Sequence, residues 1–242
     1  MFSINKKDLS CIVTKYGDRF IISQDLHCST SVFWRYDLSD IRPDDRVIDL
    51  GANVGGFAIA AAHRVFSHPV LALEPVRFGI LAENVLMNNA LVTPMRAAIS
   101  NRHERKTLTW RDGTCEVDCY PLGEIISHNG GCDFLKCDIE GAEWLIDPHD
   151  LDGIRRIEIQ IHLDQYPKKW EYPPLLRYLY KNFNVYETPN TLTDRISVPP
   201  HPPRADHNRP QLHCFRVEED DPGGLINEIR VPYMGGTSFD RR

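Results

Sequence analysis

The feature that most constrains the fold is a change of rhythm that begins at Arg46. From there, short apolar runs alternate with stretches of helical spacing, at residues 47–50, 56–66, 70–73 and 77–90. Strand, helix and strand in succession are typical of βαβ units, which assemble a parallel sheet with helices on both faces. The sequence therefore predicts an α/β fold.

Further apolar runs continue the pattern to residue 217. We predict strands at residues 95–99, 134–137, 157–163, 185–188 and 213–217. A helix is predicted at residues 174–183, with proline at its start. Residues 106–110 and 115–119 flank the pair Asp112-Gly113, which favours a tight hairpin turn.

Residues 1–40 do not follow this pattern. Two short runs at residues 11–14 and 19–23 surround a glycine turn and predict a small hairpin. We therefore expect an N-terminal hairpin or cap in residues 1–40 and one α/β domain in residues 41–242. The proline-rich stretch at residues 189–210 is predicted to be a long loop.

A glycine-containing turn follows the first apolar run. The segment V-I-D-L-G-A-N-V-G-G-F places Gly51 directly after the strand and Gly55 before the helix. At the carboxyl end of a strand in such a sheet, this turn borders the ligand crevice, and glycine lets a ligand approach the backbone. A dinucleotide fingerprint needs glycine where this chain has Asn53, which argues against a nicotinamide-dependent oxidoreductase. Asp49, just before the turn, suits a positively charged ligand.

An acidic residue closes the next apolar run. Glu74, followed by Pro75, ends the strand predicted at residues 70–73. An acidic side chain at this point can accept hydrogen bonds from the ribose hydroxyls of a nucleoside. Together with Asp49, it predicts a ligand that has a ribose at one end and a cation at the other. S-adenosylmethionine fits that description.

The same segments resemble the FkbM family of class I methyltransferases. The resemblance rests on V-I-D-L-G-A-N-V-G-G-F, A-L-E-P, N-V-L-M-N-N and above all D-F-L-K-C-D-I-E-G-A-E-W, and it covers residues 46–163. It implies a Rossmann-like sheet of seven mostly parallel strands. It also implies transfer of a methyl group from S-adenosylmethionine, typically to a hydroxyl oxygen.

The resemblance further implies how the cofactor is held. Gly51 and Asn53 are expected at its methionine end, and Asp49 at its amino group, directly or through water. Glu74 is expected at its ribose and Ala98 beside its adenine, although plain strand packing explains the alanine equally well. The residues predicted to bind the cofactor are Asp49, Gly51, Asn53, Gly55, Glu74, Pro75, Ala98 and Asp138.

Acidic residues follow the strand predicted at residues 134–137. Asp138, Glu140 and Glu143 lie at or just beyond its carboxyl end, and His162 lies in the last part of the next predicted strand. Methyl transfer to an alcohol requires removal of the hydroxyl proton, so a nearby base is useful. These four residues are the candidate catalytic residues, with helix capping as the alternative role for one of the carboxylates.

Two further expectations concern this cluster. Members of the FkbM family commonly have glutamate two residues before the strand-end histidine, where this chain has Gln160. The difference argues against a charged Glu–His pair. No further ligand group stands at a recognisable spacing from the carboxylates, and we therefore predict no metal site.

Composition limits the partners. Lys and Arg number 28 against 34 Asp and Glu, a net charge of −6, which disfavours binding to nucleic acid or anionic lipid. No apolar run has the length of a membrane span, and the charged N-terminal residues are unlike a signal peptide. The seven cysteines show no paired spacing, so we expect reduced thiols in a cytoplasmic protein.

We therefore predict an S-adenosylmethionine-dependent O-methyltransferase that acts on a small molecule or a glycan. Two alternatives stay open: a methyltransferase that acts on RNA or protein, and a protein that binds S-adenosylmethionine without catalysis. The net negative charge and the lack of an RNA-binding motif weigh against RNA. The intact carboxylate cluster weighs against loss of catalysis. Nothing in the sequence indicates an oligomeric state.

Overall fold

The computed structural model describes residues 9–13, 17–23, 36–110, 113–167, 173–188 and 211–217. Within these ranges the strands are β1 (Leu9–Val13), β2 (Arg19–Ser23), β3 (Val47–Leu50), β4 (Val70–Leu73), β5 (Val92–Met95), β6 (Ala97–Ile99), β7 (Glu104–Trp110), β8 (Gly113–Tyr120), β9 (Phe134–Cys137), β10 (Arg156–Gln160), β11 (Phe183–Thr188) and β12 (Gln211–Arg216). The α-helices are α1 (Gly56–Ala62), α2 (Phe78–Met87), α3 (Leu122–His128) and α4 (Pro174–Asn182). Short 3-10 helices occupy Ala142–Leu145, Pro148–Leu151 and Leu163–Gln165.

Seven strands form one sheet in the order β11-β12-β10-β9-β3-β4-β5. The strands from β10 to β5 run parallel, while β12 runs antiparallel to both β10 and β11. The central strands β3 and β9 are buried along their whole length, as expected of parallel strands covered on both faces. The predicted Rossmann-like, seven-stranded, mostly parallel sheet is confirmed.

Helices cover both faces of this sheet. Residues of α1 and α2 pack in one apolar cluster with Val47, and residues of α3 and α4 pack in another with Ile48 and Leu50. Neighbouring residues of β3 enter different clusters because successive side chains of a strand point to opposite faces. Helix α1 ends at Ala62 rather than at residue 66.

The strand predicted at residues 95–99 is wrong in one respect, because the chain leaves the main sheet there. β5 ends at Met95 and is an edge strand of the sheet. Pro94, which has no backbone N–H, is tolerated there because no further strand pairs with the outer side of β5. β6 pairs instead with β8, and β8 pairs antiparallel with β7 in a separate three-stranded sheet. The predicted hairpin is thus present as β7 and β8. Its turn, residues 111–112, lies outside the described residues.

Strands β1 and β2 form the antiparallel hairpin predicted near the N-terminus. The hairpin is bound to α2, because the backbone N of Arg19 donates to Asn88 Oδ1 at 2.8 Å and the backbone O of Arg19 accepts from Asn88 Nδ2 at 2.6 Å. The division of the chain after residue 40 stays a prediction. The loop predicted at residues 189–210 lies outside the described residues.

Several cysteine side chains are free thiols in the part of the chain that the structure describes. They are Cys115, Cys119, Cys132, Cys137 and Cys214. All but Cys115 are buried, and burial raises the pKa of those four thiols, which leaves them protonated at neutral pH. Among the same residues, no helix is both long and apolar enough to cross a membrane.

Candidate functional site

A cavity of about 490 Å³ opens where β3, β4 and β9 end. It is lined by residues of the turn after β3, the loop after β4, strand β6 and the loop after β9. Ligands of open α/β sheets bind at this edge, outside the carboxyl ends of the strands. The volume lies in the range of pockets for small organic ligands.

The turn after β3 is pressed against the end of β9. Gly51 has a φ of +75°, and a Cβ placed there would lie 1.9 Å from the backbone oxygen of Asp138, so only glycine fits. The backbone nitrogen of Gly51 donates to the Leu73 carbonyl at 3.0 Å and ties the turn to β4. Asn53 lines the cavity, and its buried Oδ1 has no hydrogen-bond partner among the described residues. This oxygen can therefore accept a hydrogen bond from a cationic ligand.

Gly55 does not line the cavity. It precedes α1 with a φ of +92°, and a Cβ there would lie 2.9 Å from Leu81 Cδ1 of α2. The glycine is thus needed for the approach of the two helices. Its predicted contact with the cofactor is not supported by this position.

Glu74 orders two segments of the cavity wall. Its Oε2 accepts a hydrogen bond from the backbone N of Asn53, and its Oε1 accepts from those of Val76 and Arg77, all at 2.8 Å. A carboxylate offers about four acceptor positions. One position on Oε2 is therefore left for a ligand hydroxyl.

Asp49 is not among the residues that line the cavity, but its partner Lys136 is. Asp49 is fully buried, with Oδ1 at 2.9 Å from Lys136 Nζ. The same Nζ donates to the carbonyl oxygens of Leu50 and Gly51 at 3.1 and 2.7 Å. Because Asp49 pairs with Lys136 and lies outside the cavity lining, its role at the amino group, directly or through water, stays a prediction.

Lys136 carries its charge in this buried position. Burial lowers its pKa, but the carboxylates of Asp49 and Asp138 raise it above the usual value. Burial raises the pKa of Asp49, and Lys136 opposes that rise. We did not predict Lys136 as a site residue, although a lysine inside an apolar strand signals a buried partner. The register that pairs Asp49 with Lys136 across β3 and β9 supplies that partner.

Pro75 and Ala98, two of the residues predicted to bind the cofactor, line the cavity. Ala97 and Ile99 of the same strand β6 line it as well. Strand β7 also contributes to the wall, which the sequence did not predict because the hairpin carries no motif. Its residues are Lys106, Leu108 and Thr109.

Two side-chain donors, one before β3 and one in β10, hold Asp138 in place on the cavity wall. Its Oδ2 accepts a hydrogen bond from the Tyr36 hydroxyl at 2.8 Å. With its amide nitrogen turned toward Asp138, Gln160 donates to both carboxylate oxygens at 3.0 Å. A glutamate at position 160 has no hydrogen to donate when ionised. The amide is therefore the side chain that suits this contact.

His162 and Glu143 form a buried pair beside the cavity without lining it. His162 Nδ1 lies 2.9 Å from Glu143 Oε1, which also accepts from the backbone N of His162 at 2.6 Å. Glu143 Oε2 accepts from the backbone N of Gly141 at 2.8 Å. The charged Glu–His pair that Gln160 argued against is thus present with a different glutamate.

The charge of His162 follows from its neighbours. Burial lowers its pKa, but the carboxylates of Glu140, Glu143 and Asp138 raise it to about 9. At that pKa the ring carries a proton at neutral pH, which leaves the neighbouring carboxylates as the better candidates for the general base. Of the four predicted catalytic residues, Asp138 and Glu140 line the cavity. His162 lies beside both without lining it, and Glu143 pairs with His162.

Comparison with known families identifies the class of protein. Residues 49–187, more than half of the chain, match the model of the methyltransferase FkbM domain. The chain belongs to this family. Membership confirms methyl transfer as the activity and S-adenosylmethionine as the cofactor. Among curated proteins, no relative matches the sequence.

Several solved structures are similar to this FkbM-family chain at low sequence identity. The fibrillarin pre-rRNA processing protein of Methanococcus jannaschii is 12% identical, with a TM-score of 0.51 over 86% of this chain and 83% of that chain. The precorrin-6y C5,15-methyltransferase of Geobacter metallireducens is 15% identical, with a TM-score of 0.48 over 86% and 94%. The tRNA (uracil-54, C5)-methyltransferase of Pyrococcus abyssi, solved with S-adenosyl-L-homocysteine, is 13% identical, with a TM-score of 0.49 over 87% and 44%. The first of these shows a common fold alone.

Proposed function

We propose that this FkbM-family protein transfers a methyl group from S-adenosylmethionine to a hydroxyl oxygen of a small molecule or a glycan. The observation that carries the proposal is one shared cavity, which Gly51, Asn53 and Glu74 line together with the carboxylates of Asp138 and Glu140. The first three residues supply groups for the cofactor. The two carboxylates supply acceptors for the proton of the methyl acceptor.

The polar and apolar parts of the cofactor each find a suitable partner. Its ammonium group needs an acceptor, and Asn53 Oδ1 is buried without one among the described residues. Its ribose needs an acidic partner, and Glu74 keeps one acceptor position. Its adenine needs a flat apolar surface, which Ala97, Ala98 and Ile99 can provide. The cavity lining therefore offers a suitable partner for each of these parts of S-adenosylmethionine.

The reaction that we propose is an in-line displacement. The acceptor oxygen forms a bond to the methyl carbon while the carbon–sulfur bond breaks, and the electron pair of that bond returns to sulfur. The hydroxyl proton passes to the carboxylate of Asp138 or Glu140. Most of the rate enhancement comes from alignment, because effective molarities of fixed reactants reach about 10⁵–10⁸ M.

The charge of the cavity supports a small neutral acceptor. Three carboxylates line it, those of Glu74, Asp138 and Glu140. Three cations, Arg77, Lys106 and Lys136, line it as well. Lys106 is paired with a glutamate at 2.7 Å and Lys136 with an aspartate at 2.9 Å, and Arg77 also has an interaction partner. A phosphate-rich acceptor such as RNA needs unpaired Lys and Arg. A sugar or another alcohol does not.

The cofactor site predicts a strong effect of Glu74→Gln on cofactor affinity. Glutamine brings amide hydrogens toward three backbone N–H groups that now donate to the carboxylate. We expect S-adenosylmethionine to bind about tenfold to a hundredfold more weakly, as for loss of a charged hydrogen-bond acceptor. Isothermal titration calorimetry with S-adenosylmethionine measures this, with NAD as the ligand that we expect not to bind.

The matched control is Glu83→Gln, the same chemical change at an exposed position of α2. Its cofactor affinity should equal that of the unaltered protein. If S-adenosylmethionine gives no heat of binding, or if Glu74→Gln binds it as tightly as Glu83→Gln, the proposed cofactor site is wrong.

The acceptor site predicts a loss of turnover in Asp138→Asn. Asparagine has nearly the same shape but cannot take up the acceptor proton, and loss of a general base lowers turnover by about 10²–10⁴-fold. Methyl-labelled cofactor and fractionated cell extract identify the acceptor, after which turnover is measured with the labelled compound. Asp118→Asn, on the exposed face of β8, is the control. If Asp138→Asn turns over as fast as Asp118→Asn, Asp138 is not the general base. If the label is found in RNA or protein, the acceptor is not a small molecule or a glycan.

A further inference from the structure

Three side chains of metal-binding type converge beside the cavity. One carboxylate oxygen each of Asp138 and Glu140 and the Nε2 of His162 lie within 4.8 Å of one another. Nε2 is 3.9 Å from Asp138 Oδ1 and 3.4 Å from Glu140 Oε2. Ligand atoms about 2.1 Å from a common ion stand about 3.0–3.4 Å apart at right or tetrahedral angles. Small shifts therefore suffice for all three to bind one ion.

The orientation of His162 is an independent observation that points to the same ligand. Its side chain is fully buried, and Nε2 makes no hydrogen bond among the described residues, although it lies within ion-pair distance of Glu140. Its other ring nitrogen lies 2.9 Å from Glu143 Oε1. In histidines that bind metals, the second ring nitrogen almost always donates a hydrogen bond to a carboxylate or carbonyl, which fixes the ring. The His162 ring is protonated in the absence of an ion, so binding of a metal at Nε2 releases that proton and leaves the lone pair for the ion. Glu143 is itself fixed by two backbone N–H groups, so the direction of Nε2 is set.

The charges of this cluster also favour a cation. Three carboxylates, those of Asp138, Glu140 and Glu143, surround a single imidazole. Two oxygen ligands and one imidazole nitrogen suit a divalent ion of the first transition row, and carboxylate oxygens are ligands that suit Mn²⁺. The sequence spacing did not predict this candidate metal site, because its third ligand, His162, lies in a separate segment and only the fold brings it beside Asp138 and Glu140.

We propose that Asp138, Glu140 and His162 bind one divalent cation of the Mn²⁺ type, with Glu143 as a positioning residue for His162. Three protein ligands leave positions open for water and for an acceptor oxygen. A hydroxyl bound to such an ion loses its proton more readily, because the ion stabilises the resulting alkoxide. The carboxylate oxygen of Asp138 or Glu140 that does not bind the ion can take up this proton. The purpose of the ion rests on the proposed methyl transfer. A bound ion would favour acceptors with two neighbouring oxygen atoms, as in a vicinal diol, because both oxygens can occupy open coordination positions of the ion.

Titration of the purified protein with Mn²⁺, without cofactor, tests the site. The electron paramagnetic resonance signal of the free ion should fall until one ion is bound per chain. Glu140→Gln and His162→Gln remove ligands and should weaken binding about tenfold or more, and Glu143→Gln should weaken it about 10–100-fold without touching the ion. Glu116→Gln changes an exposed carboxylate of β8 and should bind Mn²⁺ like the unaltered protein.

A second comparison separates this proposal from the proposed function. Glu74→Gln should lose cofactor affinity and keep Mn²⁺ binding, whereas Glu140→Gln should do the reverse. Glu140 has a half-exposed side chain, so its variant is expected to fold, and thermal unfolding confirms that. Absence of Mn²⁺ binding, or equal binding in Glu140→Gln and Glu116→Gln, overturns the metal site and leaves methyl transfer standing. Mn²⁺ binding at these ligands without any binding of S-adenosylmethionine overturns the proposed function instead.

Discussion

Replacement of Gly51 by alanine is expected to weaken cofactor binding about a hundredfold and to destabilise the protein. The new Cβ would lie 1.9 Å from the backbone oxygen of Asp138, so the turn after β3 must move away from β9. A left-handed conformation costs alanine about 1–2 kcal/mol and overpacking adds about 1–3 kcal/mol, for a loss of about 2–5 kcal/mol. Because the turn lines the cavity, a shift of this kind should also weaken S-adenosylmethionine binding by about a hundredfold.

Gly153→Ala is the matched control for this prediction. Gly153 has a φ of +80°, close to that of Gly51, but a Cβ there would meet nothing within 4 Å. It should therefore show only the backbone cost of about 1–2 kcal/mol and unchanged cofactor affinity. Urea unfolding and calorimetry measure both effects. Equal losses of stability in the two variants would mean that the contact with β9 does not constrain residue 51.

Local patterns predicted the strands of the main sheet well, and long-range pairing explains where they failed. The run at residues 134–137 is apolar, short and bounded by polar residues, and β9 has those same bounds. At residues 95–99 the local pattern reads as one strand. Its division into β5 and β6 depends on pairing with β4 on one side and with β8 on the other. That choice between partners is made by the tertiary structure.

The candidate site shows the same limit. Motifs predicted that Gly51, Glu74 and Asp138 lie near one another, because each follows a strand of the same sheet. They did not predict which charges pair. Asp49 pairs with Lys136 instead of lining the cavity, because the register of β3 and β9 places the two residues side by side. Likewise, His162 pairs with Glu143, which lies in a separate segment.

Replacement of Lys136 by methionine is expected to destabilise the protein by about 3–5 kcal/mol. Methionine has a similar length but leaves the fully buried Asp49 carboxylate without its counter-charge, and breaking a buried ion pair on one side has a cost of that size. The cost should depend on pH. Burial already raises the pKa of Asp49 above its usual 3.8, and loss of Lys136 raises it further. The variant is therefore least impaired near pH 4, where Asp49 can stay protonated, and loses stability as the pH rises.

The double variant Asp49→Leu/Lys136→Met distinguishes a charge effect from a packing effect. With both charges removed, no ion remains in the apolar interior, and replacement of a buried pair by apolar side chains is often neutral. Urea unfolding between pH 4 and pH 8 should show that the double variant recovers most of the lost stability and no longer shows the destabilisation at high pH. Lys181→Met, at an exposed position of α4, should change stability by less than about 0.5 kcal/mol. A loss in Lys136→Met that does not vary with pH, and that Asp49→Leu fails to reverse, would assign the role of Lys136 to packing and to its bonds with the Leu50 and Gly51 carbonyls instead of to charge.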